Sequence, residues 1–319
     1  MRVWRDLSDV PGDLGRTVAT IGNFDGMHLG HQHVVRRARE VAGEVGVDTA
    51  IDGVVAVTFD PHPIAVLRPE HAPPTLTTIE QRLRLLGQAG VDEVLVIPFS
   101  RDVAAWTPEE FIDRILVDTL HVKAVVVGAN FRFGNRAAGD CNLLRSAGLE
   151  HDFGVEEVSL DGGPQVWSST YVRTCLAAGD VTGAAEALGR VFTVTGTVIE
   201  GDKRGRELGF PTANVPVRPG AAAPADGVYA GRLTMLDGPD AETSYPAAIS
   251  VGTNPTFAGE RERRVESYVL DRTDLDLYGR EVEVAFIERL RGMVRFDSID
   301  DLLLAMADDV DRARAILAD

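Results

Sequence analysis

Cysteine is nearly absent from this sequence of 319 residues, which holds only Cys141 and Cys175. Two thiols cannot form a zinc tetrad, and one disulfide is a poor framework for a chain of this size. The expectation is a reducing compartment, and with it a cytoplasmic location. Basic residues are also in the minority, 32 against 49 acidic, for a net charge of −17. Such a surface repels polyanions at long range, so nucleic acid and anionic membrane are disfavoured as partners, whereas small anions can still be held by local basic clusters. No apolar run approaches the ~20 residues that span a bilayer. The opening MRVWRDLSDVPGDLG carries no apolar segment of the kind a secretory leader needs. The one Asn-x-Ser/Thr match, Asn254-Pro255-Thr256, has proline at x and is no glycosylation acceptor. Also missing is G-x-x-x-x-G-K-[ST], so any phosphoryl transfer here proceeds without a Walker loop.

What is present is ordinary globular material, 45% hydrophobic and 25% charged, long enough for about two domains. The first part alternates strand-like and helix-like segments. TVATIG leads into a helix from about His31, and VVAVTFD (54–60) is the near-continuous apolar run of a strand covered on both faces. TTIEQRLRLLGQAG opens with Thr77-x-x-Glu80, which reads as a capping box, and TPEEFIDRILVDTL opens with a second one, Thr107 and Glu110 around Pro108. EVLVIPF (93–99) and KAVVVGA (123–129) are further strands. Strands spaced by helices of this length indicate βαβ units and a parallel sheet. A short connecting helix is expected within 177–190. After about residue 188 the segments are short, alternating and broken by Gly, Pro and Asp, the pattern of an antiparallel barrel or sandwich. RPGAAAPADG (218–227) reads as a surface loop within it. A final helix is expected, with Leu302, Met306, Val310, Ala313 and Leu317 at helical spacing and Ser298 as N-cap.

Two stretches carry chemistry. GNFDGMHLGHQHVV (22–35) places three of the seven histidines at a strand-to-helix junction. Ligands of open parallel sheets sit beyond the carboxyl ends of the strands. Gly22, Gly26 and Gly30 permit close backbone approach there, and the helix offers N–H groups to an anion. His28 and His31 can donate ring N–H groups to phosphate oxygens, stabilising charge when a nucleoside triphosphate is attacked at its α-phosphorus. Two other readings stand beside this one: a His28/His31/His33 metal cluster, for which no cysteine or acidic partner segment is at hand, and incidental surface histidines. SSTYVR (168–173) is hydroxyl-rich and opens a helix, so hydroxyls, N–H groups and Arg173 can converge on pyrophosphate; in isolation it reads equally as an ordinary N-cap. His62, between two prolines, reads as a ligand or as part of a turn.

The second stretch is GTVIEGDKRGRELGFPTANV (196–215). Gly201, Gly205 and Gly209 alternate with Lys203, Arg204 and Arg206, a loop that could close over phosphates, or a solvated basic hairpin. Thr212 and Asn214 alternate on a strand and so share a side, where their oxygens could ligate a magnesium ion.

GNFDGMHLGHQ, with VTFDPHP (57–63), VVVGANFRFG (125–134) and SSTYVR in order, resembles the HxGH nucleotidylyltransferases, and in detail the N-terminal module of prokaryotic bifunctional riboflavin kinase/FAD synthetases. Residues 188–319 are similar to the flavokinase barrel, through GFPTANV, DGVYAG (226–231), SVGTNPTF (250–257), VESYVLD (265–271) and LYGREVEVAFIERLRGMVRF (277–296). The resemblance implies an α/β fold: a Rossmann-like parallel-sheet domain over 1–187, and an antiparallel β-barrel with a terminal helix over 188–319. It implies that Gly22, Phe24, His28, Gly30 and His31 handle ATP phosphates, that Asn130 lies beside nucleotide and flavin, and that Ser168, Ser169, Thr170 and Arg173 form a second phosphate motif. In the kinase half it implies ATP and flavin contacts from Gly201, Lys203, Gly205, Arg206, Gly209, Pro211, Thr212, Asn214, Tyr229 and Asn254, with Thr212 and Asn214 on Mg2+ and Glu266 as general base for the ribityl hydroxyl. A glutamate of ordinary basicity, pKa about 4.3, serves an alcohol only if the proton leaves late, as a loose phosphoryl transition state permits. The chain departs from the family's pattern at Gly292-Met293, where an acidic residue often follows Leu-Arg. The implied ligands are ATP, riboflavin, FMN and FAD; oligomeric state is left open.

Overall fold

The computed structural model describes residues 1–47, 53–159, 167–201, 209–255, 261–272 and 274–318, the side chains of 254, 255, 261 and 262 excepted. They fall into two compact units, Met1–Ser169 and Thr170–Asp319.

The first unit is a sheet of six parallel strands: β1 (Arg2–Trp4), β2 (Thr17–Ile21), β3 (Val54–Asp60), β4 (Glu93–Pro98), β5 (Val122–Gly128) and β6 (Gly154–Val158), in the order β1-β4-β3-β2-β5-β6. Its helices are α1 (Leu29–Glu44), α2 (Pro63–Leu67), α3 (Ile79–Gln88), α4 (Arg101–Ala105), α5 (Pro108–Phe111) and α6 (Cys141–His151). From β2 the chain works outward through β3 and β4, then crosses to β5 on the other side of β2. The order therefore reverses between β2 and β5, and the carboxyl ends of these two strands are where ligands of such sheets bind.

Burial explains the apolar run in β3. Val54, Val55, Ala56 and Val57 are all fully buried. Val55 and Val57 pack with Phe111, Ile115 and Leu144 on one face. On the other, Val54 packs with Val34, Ala38 and Val41 of α1, and Ala56 with Phe24, Leu83 and Leu86. Each such side chain contributes roughly 1.5–3 kcal/mol relative to leaving it in water.

The capping box at Thr107 and Glu110 is present, and Ser298 caps the last helix. The one expected at Thr77 and Glu80 is displaced by a residue. Thr78 and Gln81 form it, because the Thr77 hydroxyl is engaged with Asp25. His62 serves as the N-cap of α2, its Nδ1 accepting from Ile64 N at 3.2 Å.

The second unit is a barrel of β7 (Phe192–Thr197), β8 (Ala213–Pro216), β9 (Gly227–Met235), β10 (Ser244–Pro255), β11 (Arg261–Val269) and β12 (Glu281–Gly292). The order is β7-β12-β9-β10-β11-β8, every pair antiparallel. A bridge between Ile199 and Asn214 links the two ends of that order, so the barrel is nearly closed. Tyr229, Leu233, Met235, Ile249, Val251, Val265, Val282, Val284 and Phe286 fill it and are inaccessible to solvent. Helix α8 (Val181–Leu188) packs on β7 and β12. The terminal helix α9 (Ile299–Ile316) lays Val310 and Ala313 against Val228, Ala230 and Leu290. Buried Asp309 of α9 takes two nitrogens of Arg291, at 2.9 and 2.6 Å. The segment 218–227 is not simply a surface loop: Ala223 and Pro224 are buried. Tyr229 Oη and the Arg263 guanidinium donate to the carbonyls of Ala225 and Pro224 and clamp it to the barrel.

Candidate functional site

The histidine turn begins where β2 ends. Gly22 N still donates to Val57 O at 3.1 Å, and the chain then folds tightly, with positive φ at Phe24 (49°) and Met27 (43°). Both are L-residues in a region L-residues rarely occupy. Their side chains, 1% exposed, pack with Val35, Leu83 and Leu86 and hold the turn there. Asp25, also 1% exposed, anchors it from the other side. Its carboxylate accepts from the backbone N–H groups of Leu76 and Thr77 at 3.0 Å and from the Thr77 hydroxyl at 3.0 Å. Thr77 Oγ1 in turn accepts from Gly26 N at 3.2 Å.

This frame fixes the two imidazoles. His28 is the N-cap of α1, its Nδ1 accepting from His31 N at 3.4 Å. An accepting Nδ1 leaves the neutral ring's proton on Nε2. His31 stacks on His28 with centroids 3.7 Å apart and meets the edge of Phe24 at 5.3 Å. Its Nδ1 is buried without a hydrogen-bond partner among the described residues. Burial, then the neighbouring His28 and the Arg82 guanidinium, push the His31 pKa well below the usual imidazole range. Gly30 has no side chain because a Cβ there would stand 3.1 Å from the His28 ring and 3.3 Å from Trp167 O. Gly30 therefore leaves room for the His28 imidazole as well as for close approach to the turn.

Of the other residues singled out in this half, Asn130 is exposed in the turn after β5, on the far side of the switch point from Gly22. Ser169 Oγ donates to Asp25 O at 2.8 Å, and Ser168 and Ser169 are half-buried. Helix α7 (Ser169–Ala178) carries exposed Thr170 and half-buried Arg173. The Phe24 ring is buried and shapes the turn.

In the barrel, β8 and β11 bring the expected kinase residues together. Glu266 lies opposite Asn214 in the register, and paired residues of antiparallel strands share a face. Asn214 Nδ2 donates to Thr212 Oγ1 and to Thr212 O, both at 3.2 Å. Thr212 thus stands beside Asn214 and Asn214 beside Glu266. Gly201 closes on them so tightly that a Cβ would meet the Asn214 amide at 2.6 Å. Pro211 and Thr212 line a small cavity with Ser267, Arg272 and Tyr278. Gly209 takes a positive φ of 89° just before. Tyr229, expected among the ATP and flavin contacts, is fully buried in the barrel, its ring 5.5 Å from that of Phe286 and its hydroxyl bonded to Ala225 O. Lys203, Arg204, Gly205 and Arg206 lie outside the described residues, as does the side chain of Asn254.

Residues 11–170 match the family described as FAD synthetase, and residues 188–317 match riboflavin kinase. The chain is 39% identical over 311 residues to the bifunctional riboflavin kinase/FMN adenylyltransferase of Escherichia coli (strain K12), covering 97% of this chain and 95% of the relative. It is 40% identical over 321 residues to that of Pseudomonas fluorescens, covering 100% and 98%. This chain belongs to the bifunctional riboflavin kinase/FMN adenylyltransferase family. A crystal structure from Streptococcus pneumoniae, named as a macrolide-efflux protein, superposes with a TM-score of 0.84 at 30% identity over 98% of both chains.

Two residues of this family member escaped sequence reading. Asp25 was in plain view inside GNFDG, but a buried carboxylate that holds backbone cannot be told from an exposed one without the loop it binds. Arg82 was hidden by its helix, where a cation among polar residues reads as a solvated face; it is 3% exposed. Among the described residues no group of three or more His, Cys, Asp or Glu is arranged to hold a metal ion, and no helix is long and apolar enough to cross a membrane.

Proposed function

We infer that this chain phosphorylates riboflavin with ATP to give FMN and then adenylylates FMN with a second ATP, releasing pyrophosphate and giving FAD. The observation that carries this reading is the pairing of both family matches on one chain that aligns along nearly its whole length with bifunctional relatives. We assign adenylylation to residues 1–187 and phosphorylation to 188–319; the compact units divide earlier, between Ser169 and Thr170.

For adenylylation, His28 and His31 supply neutral N–H donors to the triphosphate. The His28 tautomer supports this, because capping α1 through Nδ1 leaves the proton on Nε2. Gly22, Gly30 and Asn130 serve the nucleotide, and by family resemblance Ser168, Ser169, Thr170 and Arg173 form the second phosphate motif. Donors fixed before substrate arrives stabilise developing charge without reorganising, and no covalent protein intermediate is needed.

For phosphorylation, Glu266 takes the proton of the ribityl hydroxyl late in a loose transition state. Thr212 and Asn214 suit magnesium, since their side chains offer neutral oxygens on one face beside a carboxylate, the hard donors that ion prefers. The family's ATP reactions generally use Mg2+, which neutralises phosphate charge when bound. Gly201, Gly209 and Pro211 shape the approach; Lys203, Gly205, Arg206 and Asn254 complete the set by family resemblance.

The surface charge of −17 supports small-molecule substrates and not nucleic acid or membrane. The two free, buried thiols support a cytoplasmic location. Thr212→Ala tests the assignment. Riboflavin phosphorylation should fall at least tenfold and its magnesium requirement should rise, with conversion of supplied FMN to FAD unchanged. Equal loss of both reactions in the folded variant would refute it.

A further inference from the structure

Arg82 is a cation the reaction scheme above does not use. It lies on α3, 3% exposed, next to Leu83, which packs with Phe24 and Met27 of the histidine turn. Its hydrogen bonds go to neutral oxygens: Nη1 donates to Phe59 O at 3.0 Å and to Thr58 Oγ1 at 3.4 Å, at the carboxyl end of β3. Its Nε is buried without a partner among the described residues. A buried guanidinium satisfied in this incomplete way opposes folding, because desolvation of the charge is not offset by a close ion pair. Asp25 and Asp60 face it through space and favour its charged form, and burial opposes them. Thr58 Oγ1 in turn donates to Asn23 O at 3.2 Å, inside the histidine turn, and the Arg82 and His31 charges oppose one another.

We propose that Arg82 is a positioning residue for adenylyl transfer: a buried cation, tied to the carboxyl end of β3 beside the histidine turn, that adds a fixed positive field to the triphosphate site. Three observations support it independently of any titration. The guanidinium is tied to the end of β3, one strand from Gly22, so its position is set by the sheet that positions the turn. Leu83 and Leu86 of the same helix pack directly against Phe24 and Met27. The Asp25 carboxylate, which anchors the turn, binds the segment that leads into α3. Sheet end, histidine turn and helix are thus one packed body, with the charge buried in it. A fixed charge in a water-poor site acts on a reacting phosphate far more strongly than one in solvent.

The proposal rests on the adenylyltransferase reading of the histidine turn, and its test has a readout independent of that reading. In the full-length protein, the ring signals of His31 are followed by NMR as pH is lowered, in wild type, Arg82→Met and Arg82→Lys. The methionine variant keeps the volume and loses the charge. It should raise the proton affinity of His31 by about threefold or more, half a pKa unit, and Arg82→Lys should restore most of the wild-type behaviour. Conversion of FMN to FAD should fall roughly tenfold in kcat for Arg82→Met, more at pH 6 than at pH 8, with riboflavin phosphorylation unchanged. An unmoved His31 titration in folded Arg82→Met, or a lysine variant that behaves like methionine, would overturn the proposal. If Arg82→Met does not fold, the Arg82→Lys and wild-type titrations still decide it: a His31 midpoint that differs between two cationic side chains by as much as the charge loss should produce rules out a simple field. A wild type without FMN adenylylation would sink the functional reading while leaving the His31 measurement valid.

Discussion

Glu266 stands across from Asn214 in the pairing of β11 with β8, and Asn214 is bound through its amide to Thr212. One cross-strand neighbour and one local hydrogen bond therefore assemble three residues that lie 54 positions apart at their extremes (266 − 212). The barrel's register is what makes the site, because a slip of one residue would turn Glu266 to the opposite face.

Gly201 is the most sensitive backbone position beside that cluster. A methyl group there would stand 2.6 Å from the Asn214 amide nitrogen and 2.7 Å from its oxygen. Gly201→Ala should lower riboflavin phosphorylation at least tenfold by displacing Asn214. Steady-state assays on each reaction should find FMN adenylylation unchanged.

Asp25 should behave as a structural anchor of the histidine turn. Removing its carboxylate leaves the N–H groups of Leu76 and Thr77 buried without their acceptor. Asp25→Ala should destabilise the first unit by about 3 kcal/mol and abolish FMN adenylylation, with riboflavin phosphorylation retained. Urea unfolding together with the two assays checks it; an unaltered unfolding midpoint would contradict it.

The buried His31 makes stability depend on pH in a defined direction. Its folded-state pKa lies well below its unfolded value near 6.5. Below about pH 6.5 the unfolded ring therefore takes up a proton that the folded ring refuses, and stability falls by up to about 1.4 kcal/mol per pH unit. Above that pH the group makes no difference. His31→Gln should flatten this acid limb. Unfolding curves at pH 7.5, 6.0 and 5.0 that run parallel in the two proteins would contradict it.

Much of this architecture is legible in the residues. The apolar run Val54–Val57 announces a strand buried on both faces, and all four prove inaccessible to solvent. Thr107, Pro108 and Glu110 announce a helix start, and the reciprocal hydrogen bonds are there. The strands that escaped are those without a pattern: β1 is three residues long, and β6 reads GVEEV, an edge strand whose two glutamates break its apolar signal. The capping box moved from Thr77 to Thr78 because a long-range carboxylate, Asp25, competes for the first hydroxyl, and local spacing cannot register such competition.

The central claim is that two separate constellations on one chain each use ATP, one built around Glu266 and one around His28. Glu266→Gln and His28→Ala should be prepared as folded proteins and incubated with MgATP and either riboflavin or FMN, with the flavins then separated chromatographically. Glu266→Gln should form no FMN from riboflavin yet convert supplied FMN to FAD, and His28→Ala should accumulate FMN without FAD. If either single substitution silenced both reactions, the two-site account would be wrong.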